Sequence, residues 1–146
     1  MIEVKNFTKK PFAKKFLIRV AKTVLKGENR EKQSLSIVFT GENRIKKLNK
    51  KYRKENKTTD VLSFGESPKF KTQNLKDTLG EIIICPQKVE KNSRKYKTAF
   101  KEELVLVLIH GILHLLGYDH EKTEREKNKT ERKQHNYFLK IFPKLN

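Results

Sequence analysis

The chain has 146 residues, room for one hydrophobic core and too few for two ordinary ones. Hydrophobic residues make up 35% and charged residues 36%, which sets wholesale disorder aside although the mean hydropathy is −0.80. Lysine and arginine number 35 against 17 aspartates and glutamates, a formal charge of +18. Such an excess points to a polyanionic partner, because clustered cations gain free energy by releasing the counterions condensed on phosphates, or to an AT-rich codon bias that inflates lysine.

A single cysteine, Cys85, excludes an internal disulfide framework and a cysteine-rich zinc site, and it suits a reducing cytoplasm. No apolar segment of the secretory kind follows the basic residues of MIEVKNFTKKPFAKK, and the longest apolar stretch, 104–117, is too short to cross a bilayer. The expectation is a cytoplasmic protein without a membrane span, folded as one domain over residues 1–146.

Ile2, Val4 and Phe7 alternate as a short strand does. After Pro11, the positions Phe12, Phe16, Leu17, Val20, Ala21, Val24 and Leu25 recur at helical spacing, predicting an amphipathic helix that ends near Gly27. LSIVFT (35–40) reads as a strand, and GENRIKKLNKKYRK after it places Ile45, Leu48, Asn49 and Tyr52 on one helical stripe. Glu55 to Thr59 break that helix, Val61, Leu62 and Phe64 suggest another strand, and residues 65–79 have no period and read as a loop. GEIIIC (80–85) is a strand whose three consecutive isoleucines predict burial on both faces, and Pro86 stops it. From about Ala99 to Leu116 the chain predicts one mostly apolar, central helix, with Glu102 and Glu103 at its positive end. A charged helix over 121–142 follows, with Tyr137, Phe138, Ile141 and Phe142 to dock it and Pro143 to end it.

Three of the four histidines fall in HGILHLLGYDH, residues 110–120. On a helix, His110 and His114 project from one face, and Gly117 can take the left-handed conformation that reverses the chain and returns His120 towards them. Three imidazoles at an apolar helix end are costly to bury without a shared partner, and together they leave a zinc ion an open coordination position. The expected ligands of one divalent ion, zinc first, are therefore His110, His114 and His120. The spacing is also that of the extended zinc-protease helix, but Gly111 stands where that motif carries its glutamate base. Asp119, Glu81 and Glu103 are the nearest carboxylates, and none has a claim to that role from sequence: Asp119 reads as a turn or ligand-orienting residue, Glu81 as a strand end and Glu103 as a helix-dipole partner.

HGILHLLGYDH, together with LNKKYRKENKTTDVLSF and LGEIIIC upstream, resembles the YbeY family of bacterial rRNA maturation factors, in order from about Leu35 to His120. The resemblance implies an α+β fold, a small mixed sheet covered by helices with a central metal-binding histidine helix. It also implies a single-strand-specific, metal-dependent endoribonuclease acting in rRNA processing, notably at the 3′ end of 16S rRNA, and in ribosome quality control. By that resemblance His110, His114 and His120 match metal ligands, Arg53 matches an arginine of the active-site cleft, and Thr59, Asp60 and Ser63 match a segment whose role is structural or catalytic. Gly65, where the family usually has proline, and Thr130, where an apolar residue is expected, depart from the pattern.

The expected partners are single-stranded RNA, above all rRNA, and the ribosome or its proteins. Two rivals stand beside the nuclease. One is a zinc metallopeptidase, opposed by Gly111 and the charge. The other is a non-catalytic RNA-binding assembly factor with a structural zinc, whose fourth ligand would be Cys85 or Asp119.

Overall fold

The computed structural model describes residues 1–65, 78–118 and 123–145. Among them the chain forms β1 (Ile2–Asn6), α1 (Lys14–Gly27), β2 (Ser34–Phe39), α2 (Glu42–Arg53), β3 (Val61–Gly65), β4 (Thr78–Ile84), α3 (Pro86–Tyr96), α4 (Phe100–Leu115) and α5 (Glu124–Ile141), then a 3-10 turn at Pro143–Leu145. The strands make a mixed sheet in the order β1-β2-β4-β3, in which β3 runs antiparallel to β4 and the other pairs are parallel. The expected α+β architecture is thus what the chain builds.

Alternation along the strands divides the sheet into two apolar faces. Leu35, Ile37 and Phe39 of β2, with Ile82 and Ile84 of β4, join the main core with α1 and α4. Ile83 and Cys85 turn the other way and pack with Leu62 beneath Ile45 of α2. The three isoleucines are buried on both faces, as their run predicts. In α4, Leu108, Ile109 and Ile112 are at 0% exposure, each contributing about 2 kcal/mol relative to an exposed side chain. That helix is central and fixed against the sheet.

Several local expectations need correction. Helix α1 starts only at Lys14, and Phe12 lies before it, stacked on Phe39 with ring centroids 4.1 Å apart. Phe7 is outside β1 and exposed. Tyr52 lies at the end of the α2 stripe but is exposed, with only Ile45 and Asn49 of that helix fully buried. Helix α3 is an addition to the expected elements: Pro86 does end β4, but it also opens a helix, since its fixed φ and missing N–H suit the first helical position. The departures from the family pattern are absorbed locally. Gly65 pairs with Gly80 at the end of the β3–β4 ladder, and buried Thr130 donates its hydroxyl to the Glu126 carbonyl at 2.9 Å. Most of the expected loop, residues 66–77, lies outside the described residues, and β4 begins two positions earlier than expected, at Thr78.

Candidate functional site

A cleft of about 750 Å³ opens between α4, the end of α2, the β3 strand and α5. His110 and His114 line it from successive turns of α4, the first half-buried and the second exposed. Arg53, the last residue of α2, lines it from another wall beside Tyr52. Local chemistry turns the chain there. Lys54 adopts the left-handed conformation at φ 61°, the Glu55 N–H donates to the Asn49 carbonyl at 3.3 Å, and the Asn49 amide donates to the Lys57 carbonyl at 3.0 Å. These contacts fold residues 54–59 back and bring Thr59 and Asp60 into the cleft below Arg53. Lys46, Lys47, Lys50 and Lys51 are exposed on the same helix, so a cationic surface leads to that arginine.

Helix α4 is held against the sheet at the histidine turns by Gly111. A β-carbon there would stand 3.2 Å from Ile82 Cγ2 and 3.2 Å from Ser63 Oγ, and Ser63 already donates to the Gly111 carbonyl at 3.3 Å. The position after the first histidine therefore faces the sheet rather than the cleft. The helix ends in a Schellman motif, with the Tyr118 N–H on the Leu113 carbonyl at 3.0 Å, the Gly117 N–H on the His114 carbonyl at 3.1 Å, and Gly117 at φ 99° as expected. Just beyond, the Tyr118 hydroxyl donates to Glu28 at 2.6 Å. Glu28, its side chain 8% exposed, also accepts from Lys133 at 2.9 Å and from Tyr137. Burial pushes its carboxyl up, but the bonds from Tyr118, Tyr137 and Lys133 together outweigh that and hold it below the usual carboxylate range. This cluster ties the end of α1 to the turn after α4 and to α5.

Of the residues singled out from sequence, Arg53, His110, His114, Thr59, Asp60, Ser63 and Glu103 share the cleft. His120 and Asp119 lie outside the described residues, and among the described ones no group of three potential metal ligands occurs. Glu81 is not in the cleft lining; it sits half-buried in β4 opposite Phe64 and Ser36. Glu103 accepts from Thr98 at 3.3 Å, which fits a role at the helix start. Cys85 is fully buried with the α2-side cluster, on the sheet face away from α4, and burial pushes its thiol up, which disfavours the thiolate a metal needs. The sequence reading missed Gln134 of α5, whose Oε1 lies 3.1 Å from His110 Nδ1. A glutamine 24 residues downstream in a charged helix carries no local spacing signal. Two imidazoles one turn apart on one open cleft supply two of the nitrogen donors that a zinc ion takes.

An α+β sheet that carries a histidine helix beside an arginine-lined cleft is the kind of molecule defined so far. A family model described as endoribonuclease YbeY matches residues 2–141, and the chain belongs to that family. The endoribonuclease YbeY of Thermodesulfovibrio yellowstonii is 42% identical over 109 residues, 75% of this chain and 67% of that protein. The Thermotoga neapolitana relative is 39% identical over 73% of this chain and 66% of its own length, and the Persephonella marina relative 35% over 84% and 79%. The chain thus spans about two thirds of the length of the first two. The solution structure of TM1509 from Thermotoga maritima aligns with a TM-score of 0.68 at 31% identity, covering 99% of this chain and 91% of that one. No described helix is long and apolar enough to cross a membrane.

Proposed function

We propose that the chain is a metal-dependent endoribonuclease that cuts single-stranded RNA during rRNA maturation. The observation that carries this reading is the sharing of one cleft by Arg53 and the histidine pair of α4, in a protein of charge +18. His110, His114 and His120 would hold one divalent ion, zinc first. Such an ion supplies Lewis-acid polarisation of an oxygen at the scissile phosphate. Arg53 neutralises the charge that grows on that phosphate, and the lysines of α2 hold the strand leading to it. Action at the 3′ end of 16S rRNA, a role in ribosome quality control, contact with the ribosome and a cytoplasmic place of work are parts of the same proposal.

The rivals are weaker on specific grounds. A peptidase of the extended histidine motif needs a carboxylate at Gly111, a position packed against Ile82 and Ser63. A closed structural zinc gains no fourth ligand from Cys85, which lies across the sheet. Cleavage assays on defined single-stranded RNA, duplex RNA and a casein-like peptide, with metal content measured on the same sample, decide among them. The expected result is metal-dependent cutting of single strands, duplex being poorer because its strands must first separate. With about five phosphates engaged, log K should fall against log salt with a slope of roughly −3.5, at about −0.7 per phosphate. Metal-dependent peptide cleavage with RNA left intact would overturn the proposal.

A further inference from the structure

We infer that Gln134 is a positioning residue that fixes the tautomer and ring orientation of His110, so that Nε2 is the nitrogen with the lone pair for a metal. The inference rests on the metal reading above. Its geometric basis is the 3.1 Å approach of Gln134 Oε1 to His110 Nδ1 between α5 and α4. An amide oxygen only accepts, so the imidazole must donate from Nδ1. A neutral ring carries one N–H, and with that proton on Nδ1 the lone pair falls on Nε2.

The rotation of α5 about its own axis is what holds the amide there. Thr130, Tyr137 and Ile141 are the buried residues of the helix, and Gln134 falls on the same stripe, one turn after Thr130 and one before Tyr137. Lys133 beside it is pinned to Glu28, and the Tyr137 hydroxyl donates to the same carboxylate. The helix cannot turn its glutamine away from α4 without withdrawing these anchors. The neighbouring His135 is exposed and off that stripe, which separates the role of Gln134 from a general polar environment.

Outer partners of this kind typically change metal affinity 10- to 100-fold when removed, because the ring is then free to present either nitrogen. The test measures two things on the full chain. Long-range ¹H–¹⁵N spectra of metal-free protein, taken well above the ordinary imidazole pKa of about 6.5, report the His110 tautomer. Competition with a chromophoric chelator reports zinc affinity. Wild type should show the Nδ1–H form, and Gln134→Leu should lose that preference and bind zinc on the order of 10- to 100-fold more weakly. Gln134→Glu, whose carboxylate is the stronger acceptor from Nδ1–H, should keep the tautomer and bind zinc more tightly than wild type. This second variant carries the test if the leucine variant does not fold, because a merely structural contact predicts no gain from a carboxylate.

An Nε2–H tautomer in wild type would mean that the amide donates its NH₂ to Nδ1, and overturns the inference. So does a folded Gln134→Leu with unchanged tautomer and affinity, or a Gln134→Glu that changes the tautomer or gains no affinity. A wild type that binds no zinc overturns the metal reading instead, and the tautomer spectra still decide what Gln134 does to the ring.

Discussion

Replacing Glu28 by glutamine removes one charge from the cluster that joins α1, the turn after α4 and α5, while keeping the side-chain shape. The carboxylate is 8% exposed and accepts from Tyr118, Lys133 and Tyr137. Hydrogen bonds to a charged group contribute about 1.5–3 kcal/mol and neutral ones about 1, and where three donors share one carboxylate the lower part of that difference applies, about 0.5–1 kcal/mol for each partner. Lys133 is 34% exposed and keeps part of its hydration, so stranding it adds about 1 kcal/mol, well short of the 3–5 seen for fully buried pairs. The sum is about 2.5–4 kcal/mol, or a fall of roughly 8–12 °C in Tm for a domain of this size. Urea and thermal unfolding followed by circular dichroism measure it.

The pH dependence gives the sign. Because the Glu28 carboxyl is held below its ordinary value of 4.5, its contribution is complete above that pH and is lost as pH falls through the lowered folded value. Wild type should therefore lose stability faster than Glu28→Gln on acidification, and the gap should close. On the alkaline side, burial and the bond to Glu28 push Tyr137 from 10.0 up to about 12. Its contribution is complete below pH 10.0 and is lost as pH rises through about 12. A difference at neutral pH below about 0.5 kcal/mol, or parallel curves from neutral to acid pH, would refute the assignment of Glu28 as the buried ionised centre of the cluster.

Three further outcomes are expected. His114→Ala should lose most of about one bound divalent ion per chain while folding normally, since residue 114 is exposed, and unchanged stoichiometry by elemental analysis would show the site to be elsewhere. Arg53→Ala should keep the fold and the metal content but cut RNA on the order of 10²-fold more slowly, the usual loss for an electrostatic stabiliser, and wild-type turnover would make it one surface cation among many. Gly111→Ala should destabilise the chain by about 1 kcal/mol, because overpacking against Ile82 and Ser63 at 3.2 Å outweighs the gain in helix propensity; a more stable variant by urea titration would mean that α4 yields easily.

What the sequence made legible was periodic or locally spaced. The isoleucines of β4, the stripe of α1 and the apolar length of α4 each announce their element, and the four-residue step from His110 to His114 places both rings on one cleft. What it hid depends on distant partners. Pro86 carries opposite meanings for a strand end and a helix start, and only the packing of Val89 and Ser93 resolves it in favour of α3. Tyr52 has the spacing of a core residue yet stands exposed at the end of α2, where its ring meets Phe64 in an edge contact, centroids 5.2 Å apart. Glu28, one of 17 acidic residues, is distinguished only by three partners 90 to 109 positions away.

The packing of α4 also bears on where a proton acceptor can stand. In a helix laid flat on a sheet, the residue after a cleft-facing histidine points about 100° around the helix, and here that direction is occupied by β4 and β3. A glycine is the residue that lets the two backbones approach, which is why a helix-weakening residue sits in the middle of the most buried helix of the fold. The same close approach that excludes a carboxylate at position 111 brings β3 under the histidine turns and puts Asp60 in the cleft. Asp60 is engaged there as well, its carboxylate accepting from Asn92 at 3.5 Å while its carbonyl accepts from the Cys85 N–H at 2.9 Å. A cleft whose described acids are tied to neighbouring elements, and whose arginine is exposed at the end of a lysine-rich helix, is better matched to a substrate that brings its own negative charge than to a neutral peptide bond.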